Sequence, residues 1–267
     1  MAEPARWVST HQRHEQLLHL LRAGVVRVED LAARTEVSES TVRRDLARLE
    51  DEGLVARTYG GARPAAPFRE VALAERMTQE VAAKARIGAA AAALVRDGAT
   101  VFVDAGSTCA QLVERLREHQ GLTVVTRGLE IALRLAELDI ETVVVGGRVS
   151  AGSHGTSGSI ALFVMERLAV DVAFLGCDAV HPTRGVGEPT LEEAATKEAV
   201  ARQARRTVVL AHADKLGAST VPAWGALTTG WTLVTDETGP ERLDPYRQAG
   251  VEVLPAGADQ DRLLDGP

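Results

Sequence analysis

The sequence predicts an α/β chain in two parts: a small helical unit with a β-hairpin, then a larger, mostly parallel sheet covered by helices on both faces. Three observations predict it. Residues 12–61 hold short helical periodicities closed by a Gly-Gly turn. Seven apolar, β-rich runs follow, separated by helical patterns, which is the rhythm of a sheet buried on both sides. Between the parts stands PAAPFRE, residues 64–70, a proline-containing polar joint. The boundaries read as residues 1–63 for the first domain, 64–85 for a linker, 86–255 for the larger domain, and 256–267 for a polar, disordered tail.

In the first part, RHEQLLHLLRAG places Leu17, Leu20 and Leu21 on one face and ends in Gly24. VRVEDLAARTEVSES follows, with Val28, Leu31 and Ala32 apolar at i, i+3 and i+4. The third helix is read over SESTVRRDLARLEDEGL, with Val42, Leu46 and Leu49 as its apolar stripe. Ser38 stands at the N-cap position and Gly53 at the stop. The short polar turn before Thr41 is what a helix-turn-helix needs. Arg43, Arg44 and Arg48 fall off the stripe, and Ser40 and Thr41 sit in the first turn. Guanidiniums read guanine edges bidentately, while hydroxyls and helix-start amides take phosphates. VARTYGGARP then reads as a β-wing turning at Gly60-Gly61, with Arg57 and Arg63 on its arms. Ser38, Ser40, Thr41, Arg43, Arg44, Arg48, Arg57 and Arg63 are therefore the candidate contacts to double-stranded DNA. His11, His14 and His19 read as surface residues of the first helix.

In the second part the strand candidates are 100–104, 122–126, 141–146, 171–176, 207–211, 232–235 and 251–254, with helices near 108–119, 128–137, 160–169, 189–205 and 240–249. Parallel sheets bind ligands beyond the carboxyl ends of their strands, so the residues after each strand matter most. The first strand runs into Asp104-Ala-Gly106-Ser107-Thr108, a glycine turn opening a helix and a plausible phosphate cradle. The second ends at Thr126-Arg127, where the guanidinium reaches a phosphate or faces solvent. The third opens into a Gly/Ser-rich stretch through Ser159. After the fourth comes Asp178, then a helix with Glu193 and Lys197 four apart on one face. The fifth gives His212 and Lys215.

Composition sets the frame. The formal charge is −7 and only 3 % of residues are aromatic, so the core is aliphatic. Residues 1–63 carry about as many acids as bases, which means that positive charge for DNA must be clustered rather than net. Strong salt dependence follows from counterion release. Two cysteines, Cys109 and Cys177, make no disulfide framework and read as small packing residues. No apolar run reaches membrane length and no signal pattern precedes the first helix, so a cytosolic chain is expected. The seven histidines show no metal-ligand spacing, and no metal or cofactor is expected. Three of the 30 basic residues are lysines, Lys84, Lys197 and Lys215. In a chain that otherwise uses arginine, each marks a place where a compact ammonium is wanted.

Taken together, the motifs resemble the DeoR family of bacterial transcriptional regulators. VEDLAARTEVSESTVRRDLARLEDEGLVARTYGGA is similar to that family's winged helix-turn-helix signature. AKARIGAAAAALVRDGATVFVDAGST, TVVT, VVVGG, DVAFLGCDAV, LEEAATK and ADKLG are similar to its sensor domain. The resemblance implies a sensor fold like ribose-5-phosphate isomerase, glucosamine-6-phosphate deaminase and the CoA-transferase-like proteins. It also implies a phosphorylated sugar as effector and repression of a carbohydrate-utilisation operon. It carries Asp104, Gly106, Ser107, Thr108, Asp178, Glu193, Lys197 and Lys215 to effector-facing positions, and all three lysines to motif lysines. Arg127 stands where the family often has Asn, His212 where it often has Asp, and Cys177-Asp178-Ala179 replaces Ala-Asp-Gly. A homodimer or homotetramer is expected, since one recognition helix reads few bases. One alternative is a sugar-phosphate isomerase or deaminase with an appended DNA-binding domain, although the catalytic set of those enzymes is not completed here. Another is a regulator that answers to a protein partner.

Overall fold

A computed structural model describes residues 9–51, 53–64, 68–217, 220–228 and 230–257. The chain divides into two compact units, at Phe68 and Arg69.

The first unit holds α1 (Thr10–Arg22), α2 (Val28–Thr35), α3 (Glu39–Asp51), β1 (Val55–Thr58) and β2 (Gly61–Pro64). Leu17 and Leu21 of α1, Leu31 of α2, and Val42, Leu46 and Leu49 of α3 meet in one core. The apolar stripes read from the sequence are the faces that pack. α3 is shorter than the stretch read for it, ending at Asp51. Ser38 Oγ caps it by accepting from the Thr41 amide at 3.2 Å. The wing turns one residue earlier than the Gly-Gly pair suggests. Thr58 pairs with Gly61, so Tyr59 and Gly60 form the two-residue turn. Gly60 takes the positive φ of 79° that such a turn requires. Gly61 serves a different need: a Cβ there would lie 1.9 Å from the Val26 carbonyl oxygen. That carbonyl accepts the Ala62 amide, which adds residues 26–27 to the wing.

The second unit begins with α4 (Leu73–Thr78) and α5 (Val81–Ala92). The stretch read as linker to residue 85 is therefore largely helical, with Leu73 and Lys84 buried. Next come β3 (Thr100–Val103), α6 (Ser107–Leu116), β4 (Thr123–Thr126), α7 (Leu129–Glu137) and β5 (Glu141–Val144). A small hairpin, β6 (Arg148–Val149) and β7 (Thr156–Ser157), leads to α8 (Ser159–Met165) and β8 (Val170–Leu175). Then follow β9 (Ala179–His181), β10 (Gly185–Glu188), α9 (Leu191–Gln203), β11 (Ala204–Leu210), β12 (Ala223–Gly225), β13 (Thr232–Thr235), α10 (Pro240–Gln248) and β14 (Glu252–Pro255).

Seven of these strands form one sheet in the order β14-β13-β11-β8-β3-β4-β5, and every pairing in it is parallel. Alternation along the strands separates two cores. Val101, Val103, Val172 and Phe174 face the side of α5, α6 and α7. Phe102, Ala173 and Leu175 face the side of α8 and α9. The chain winds outward from β3 through β4 to β5, then crosses back to β8 on the other side of β3. The β3–β8 junction is thus a topological switch point, where a crevice opens beyond the carboxyl ends of the strands. The strands β12, β10 and β9 form a separate antiparallel sheet at that end. Ala256, read as the start of a frayed tail, is buried and donates its amide to the Thr235 carbonyl. Residues 258–267 of that tail lie outside the described residues.

Candidate functional sites: a recognition helix and a charged crevice

In the first unit, α3 presents its polar side to solvent. Arg43, Arg44 and Arg48 are exposed, as are Ser38 and Ser40, while Thr41 is half-buried. Ser38 Oγ lies 2.8 Å from Ser40 Oγ and 2.9 Å from Thr41 Oγ1, a hydroxyl cluster at the helix start. Arg43 pairs with Glu39 one turn back at 2.8 Å, an exposed contact worth only a few tenths of a kcal/mol. Arg57 and Arg63 are exposed on opposite strands of the wing. Tyr59, not singled out by sequence reasoning, stands fully exposed at the wing tip.

Beneath this face lies an acid that sequence reasoning missed. Asp45 is 1 % exposed although it directly follows two exposed arginines, Arg43 and Arg44. Arg13 and His14 of α1 both hydrogen-bond to its carboxylate. Burial alone would raise the Asp45 pKa, but the bonds from Arg13 and His14 outweigh it and hold the carboxyl below its ordinary value. His14 is thus largely buried rather than a surface residue, with a side chain 12 % exposed. The ion pair fixes α1 against α3 and so sets the angle at which the recognition helix is offered.

In the second unit, a crevice opens at the β3–β8 switch point. Eight of the ten residues expected at an effector site line it: Gly106, Ser107, Thr108, Arg127, Asp178, Glu193, Lys197 and Lys215. Gly106 has φ 125° and precedes α6, which has no side-chain cap. The first amides of α6 are therefore left without a capping side chain where the helix start, Gly106 to Cys109, lines the crevice, with the helix dipole behind them. Ser107 and Thr108 stand in that first turn. Three cations face the same space: Arg76, Lys84 and Lys215. Burial, reinforced by Lys215 and Arg76, lowers the pKa of the Lys84 ammonium. His212 is lowered too, by burial first and then by Lys215. Neighbouring cations thus add to the cost of charging Lys84 and His212, a cost that an anion placed among them would relieve.

The two other expected residues lie behind the lining. Thr126 is buried, and its hydroxyl accepts the Gly128 amide at 3.0 Å, which shapes the turn. Asp104 is fully buried and saturated. It accepts from the Ala105 amide at 2.8 Å and the Gly176 amide at 3.1 Å, and it pairs with Arg127 at 2.5 Å and Lys197 at 3.1 Å. Burial would raise its pKa, but Arg127 and Lys197 outweigh burial and keep it charged. Arg127, read as reaching a phosphate or facing solvent, does not face solvent. It is 2 % exposed and locked to Asp104.

Lys197 and Glu193 are likewise not the surface pair that their spacing allows. Both are buried. Lys197 contacts Glu188 and donates to the Gly176 carbonyl at 2.8 Å. Burial lifts the Glu188 pKa to about 8, against the opposing pull of Lys197. Glu193 accepts from Ser153 at 3.1 Å and from Thr190 at 2.9 Å. Asp104, Arg127 and Lys197 therefore form the rigid floor of the crevice. Glu70, Arg76 and Glu188 belong to the site as well, and sequence reasoning did not find them. Arg76 could not be told from an ordinary helix-surface arginine, and Glu70 fell in the supposed linker. Burial pushes the Cys177 thiol up to about 12 and raises Cys109 as well, so neither is a ready nucleophile.

A winged helix-turn-helix joined to an α/β unit with a cation-rich crevice defines the class: a DNA-binding regulator with a sensor domain. The chain belongs to the DeoR family of transcriptional regulators. Residues 13–67 match the DeoR-like helix-turn-helix domain and residues 79–237 the DeoR C terminal sensor domain. A putative aga operon transcriptional repressor from Escherichia coli O157:H7 is 31 % identical over 94 % of this chain and 96 % of that protein. The glycerol-3-phosphate regulon repressor of Escherichia coli K12 is 26 % identical over 86 % of this chain and 92 % of that protein. Ribose-5-phosphate isomerase A from Methanocaldococcus jannaschii aligns over 49 % of this chain and 52 % of its own, at 22 % identity and TM-score 0.36, a likeness too low to carry argument. Among the described residues no helix is long and apolar enough to cross a membrane.

Proposed function

We propose that this regulator represses a carbohydrate-utilisation operon and leaves its operator when a phosphorylated sugar binds the β3–β8 crevice. The observation that carries the reading is the uncapped start of α6 facing Arg76, Lys84 and Lys215. Helix-start amides and the dipole favour an anion, and the cations complete its neutralisation. The phosphate lies at Ser107 and Thr108, and Asp178, which stands 3.6 Å from Arg76 and 3.5 Å from Lys215, holds those cations in place and accepts sugar hydroxyls. Two relatives, a putative aga operon repressor and a glycerol-3-phosphate regulon repressor, support this class of effector. On DNA, Arg43, Arg44 and Arg48 enter the major groove, and Arg57 and Arg63 meet phosphates from the wing. A homodimer or homotetramer doubles the number of bases read.

Two variants test the reading separately. Arg44→Ala should weaken operator binding by about 1–3 kcal/mol if it grips guanine, and relax specificity at that base pair. Thr108→Asp should abolish the response to the effector and leave operator affinity intact, because like charge then fills the cradle. A fluorescence-anisotropy titration of labelled operator DNA reads both. A wild-type response in Thr108→Asp would place the pocket elsewhere.

A further inference from the structure

Glu70 has no role so far, although it lies against Arg76, one of the three cations of the crevice. Glu70 stands two residues past Phe68, the last residue of the first unit. Its carboxylate lies flat against Gly152, so close that a Cβ on that glycine would sit 2.2 Å from it. Its nearest cation, Arg76, is 3.9 Å away, beyond hydrogen-bond distance. Glu70 Oε1 is buried with no hydrogen-bond partner, and so is Arg76 Nε. An orphaned donor and an orphaned acceptor thus share one crevice.

Every other acid of the crevice is better held. Asp104 has two amides and two cations, Glu188 has Lys197, and Glu193 has Ser153 and Thr190. Asp178 faces both Arg76 at 3.6 Å and Lys215 at 3.5 Å. Glu70 has one cation, at long range, where Asp178 has two, and its acidic neighbours oppose it. Its pKa is raised by burial first, then by the charges of Glu193 and Asp178. An anion that takes a place beside Arg76 must displace a carboxylate, and Glu70 is the acid with least to lose.

We propose that Glu70 occupies the place that the effector's anionic group takes beside Arg76, and that binding ejects Glu70 with the segment leading back to the DNA-binding unit. The inference rests on the sugar-phosphate reading and deepens it. Arg76 becomes a direct ligand of the anion, its Nε–H supplied with the acceptor it lacks. Ejection also strains the contact that holds this segment, the Leu73 amide donating to the Gly152 carbonyl at 2.9 Å. The signal therefore enters at the first residues of the second unit, as a displaced carboxylate.

The test uses the full chain with inorganic phosphate as probe. By isothermal titration, Glu70→Gln should bind phosphate at least tenfold more tightly than the wild type, because a neutral amide no longer competes as an anion for Arg76 and at an effective dielectric of about 20 a unit charge still matters by about tenfold at ~12 Å. Equal or weaker affinity would overturn the proposal. Hydrogen exchange on the wild type gives a second reading that needs no variant. Phosphate should protect the amides of residues 106–109 and speed exchange at Leu73. Protection at 106–109 with Leu73 unchanged or slowed would leave the phosphate site standing and refute ejection of Glu70. If phosphate changes neither region and Glu70→Gln does not bind it, the phosphate reading fails and takes this proposal with it.

Discussion

Single residues decide how this chain presents its two sites, and Asp45 shows it most sharply. A carboxylate buried at the centre of a DNA-binding unit is tolerable only because Arg13 and His14 both reach it. Asp45→Asn keeps the shape and removes the charge, leaving Arg13 without its counter-ion. The expected cost is about 2 kcal/mol, discounted because the Arg13 side chain is 15 % exposed and can recruit water. The sign of the pH dependence follows from the lowered pKa of Asp45 in the folded state. Its stabilisation is complete above the ordinary carboxylate value of about 4 and is lost as pH falls through the lower folded value. Hydrogen exchange at the amides of Leu46 and Leu49 should quicken in Asp45→Asn at pH 7, and the difference from the wild type should shrink in acid. A pH-independent difference would mean that the charge is not what matters.

At the scale of elements, the wing and α6 were legible to different depths. The alternation in VARTYGGARP announced a hairpin, but the Gly-Gly pair misplaced the turn by one residue. The reason is physical: Gly60 serves the turn, whereas Gly61 makes room for the Val26 carbonyl. Sequence alone does not distinguish a glycine needed for its dihedral from one needed for its missing side chain. Gly61→Ala should therefore cost about 1–3 kcal/mol as overpacking against backbone and lower operator affinity, while phosphate binding in the second unit stays unchanged. Isothermal titration beside operator binding checks both. Loss of phosphate binding in that variant would show that the two units do not fold independently. α6 was read more fully, because a βα turn with Gly106, Ser107 and Thr108 carries its chemistry in contiguous residues. Glu193 and Lys197 were less legible for the opposite reason: the resemblance placed them at the site, but nothing contiguous named their partners. Helical spacing put them on one face, but burial turned that face inward and gave each a partner distant in sequence.

At the scale of the whole molecule, the sequence order of strands and helices revealed a parallel sheet but not its winding. The switch point between β3 and β8 depends on pairings across some 70 residues, which periodicity does not encode. Once the winding is known, residues after β3, β4, β8 and β11 converge on one crevice. The floor of Asp104, Arg127 and Lys197 is then rigid scaffolding, and the responsive parts are the α6 start and the Glu70–Arg76 segment. Coupling between units requires that the effector bind the operator-competent and operator-released forms with different affinity. The direct measurement is a titration of the wild-type operator complex with a panel of sugar phosphates and their unphosphorylated sugars, read by fluorescence anisotropy. The account predicts that one phosphorylated sugar releases the DNA while its unphosphorylated partner does not. Release by unphosphorylated sugars alone, or by none of the panel, would contradict it.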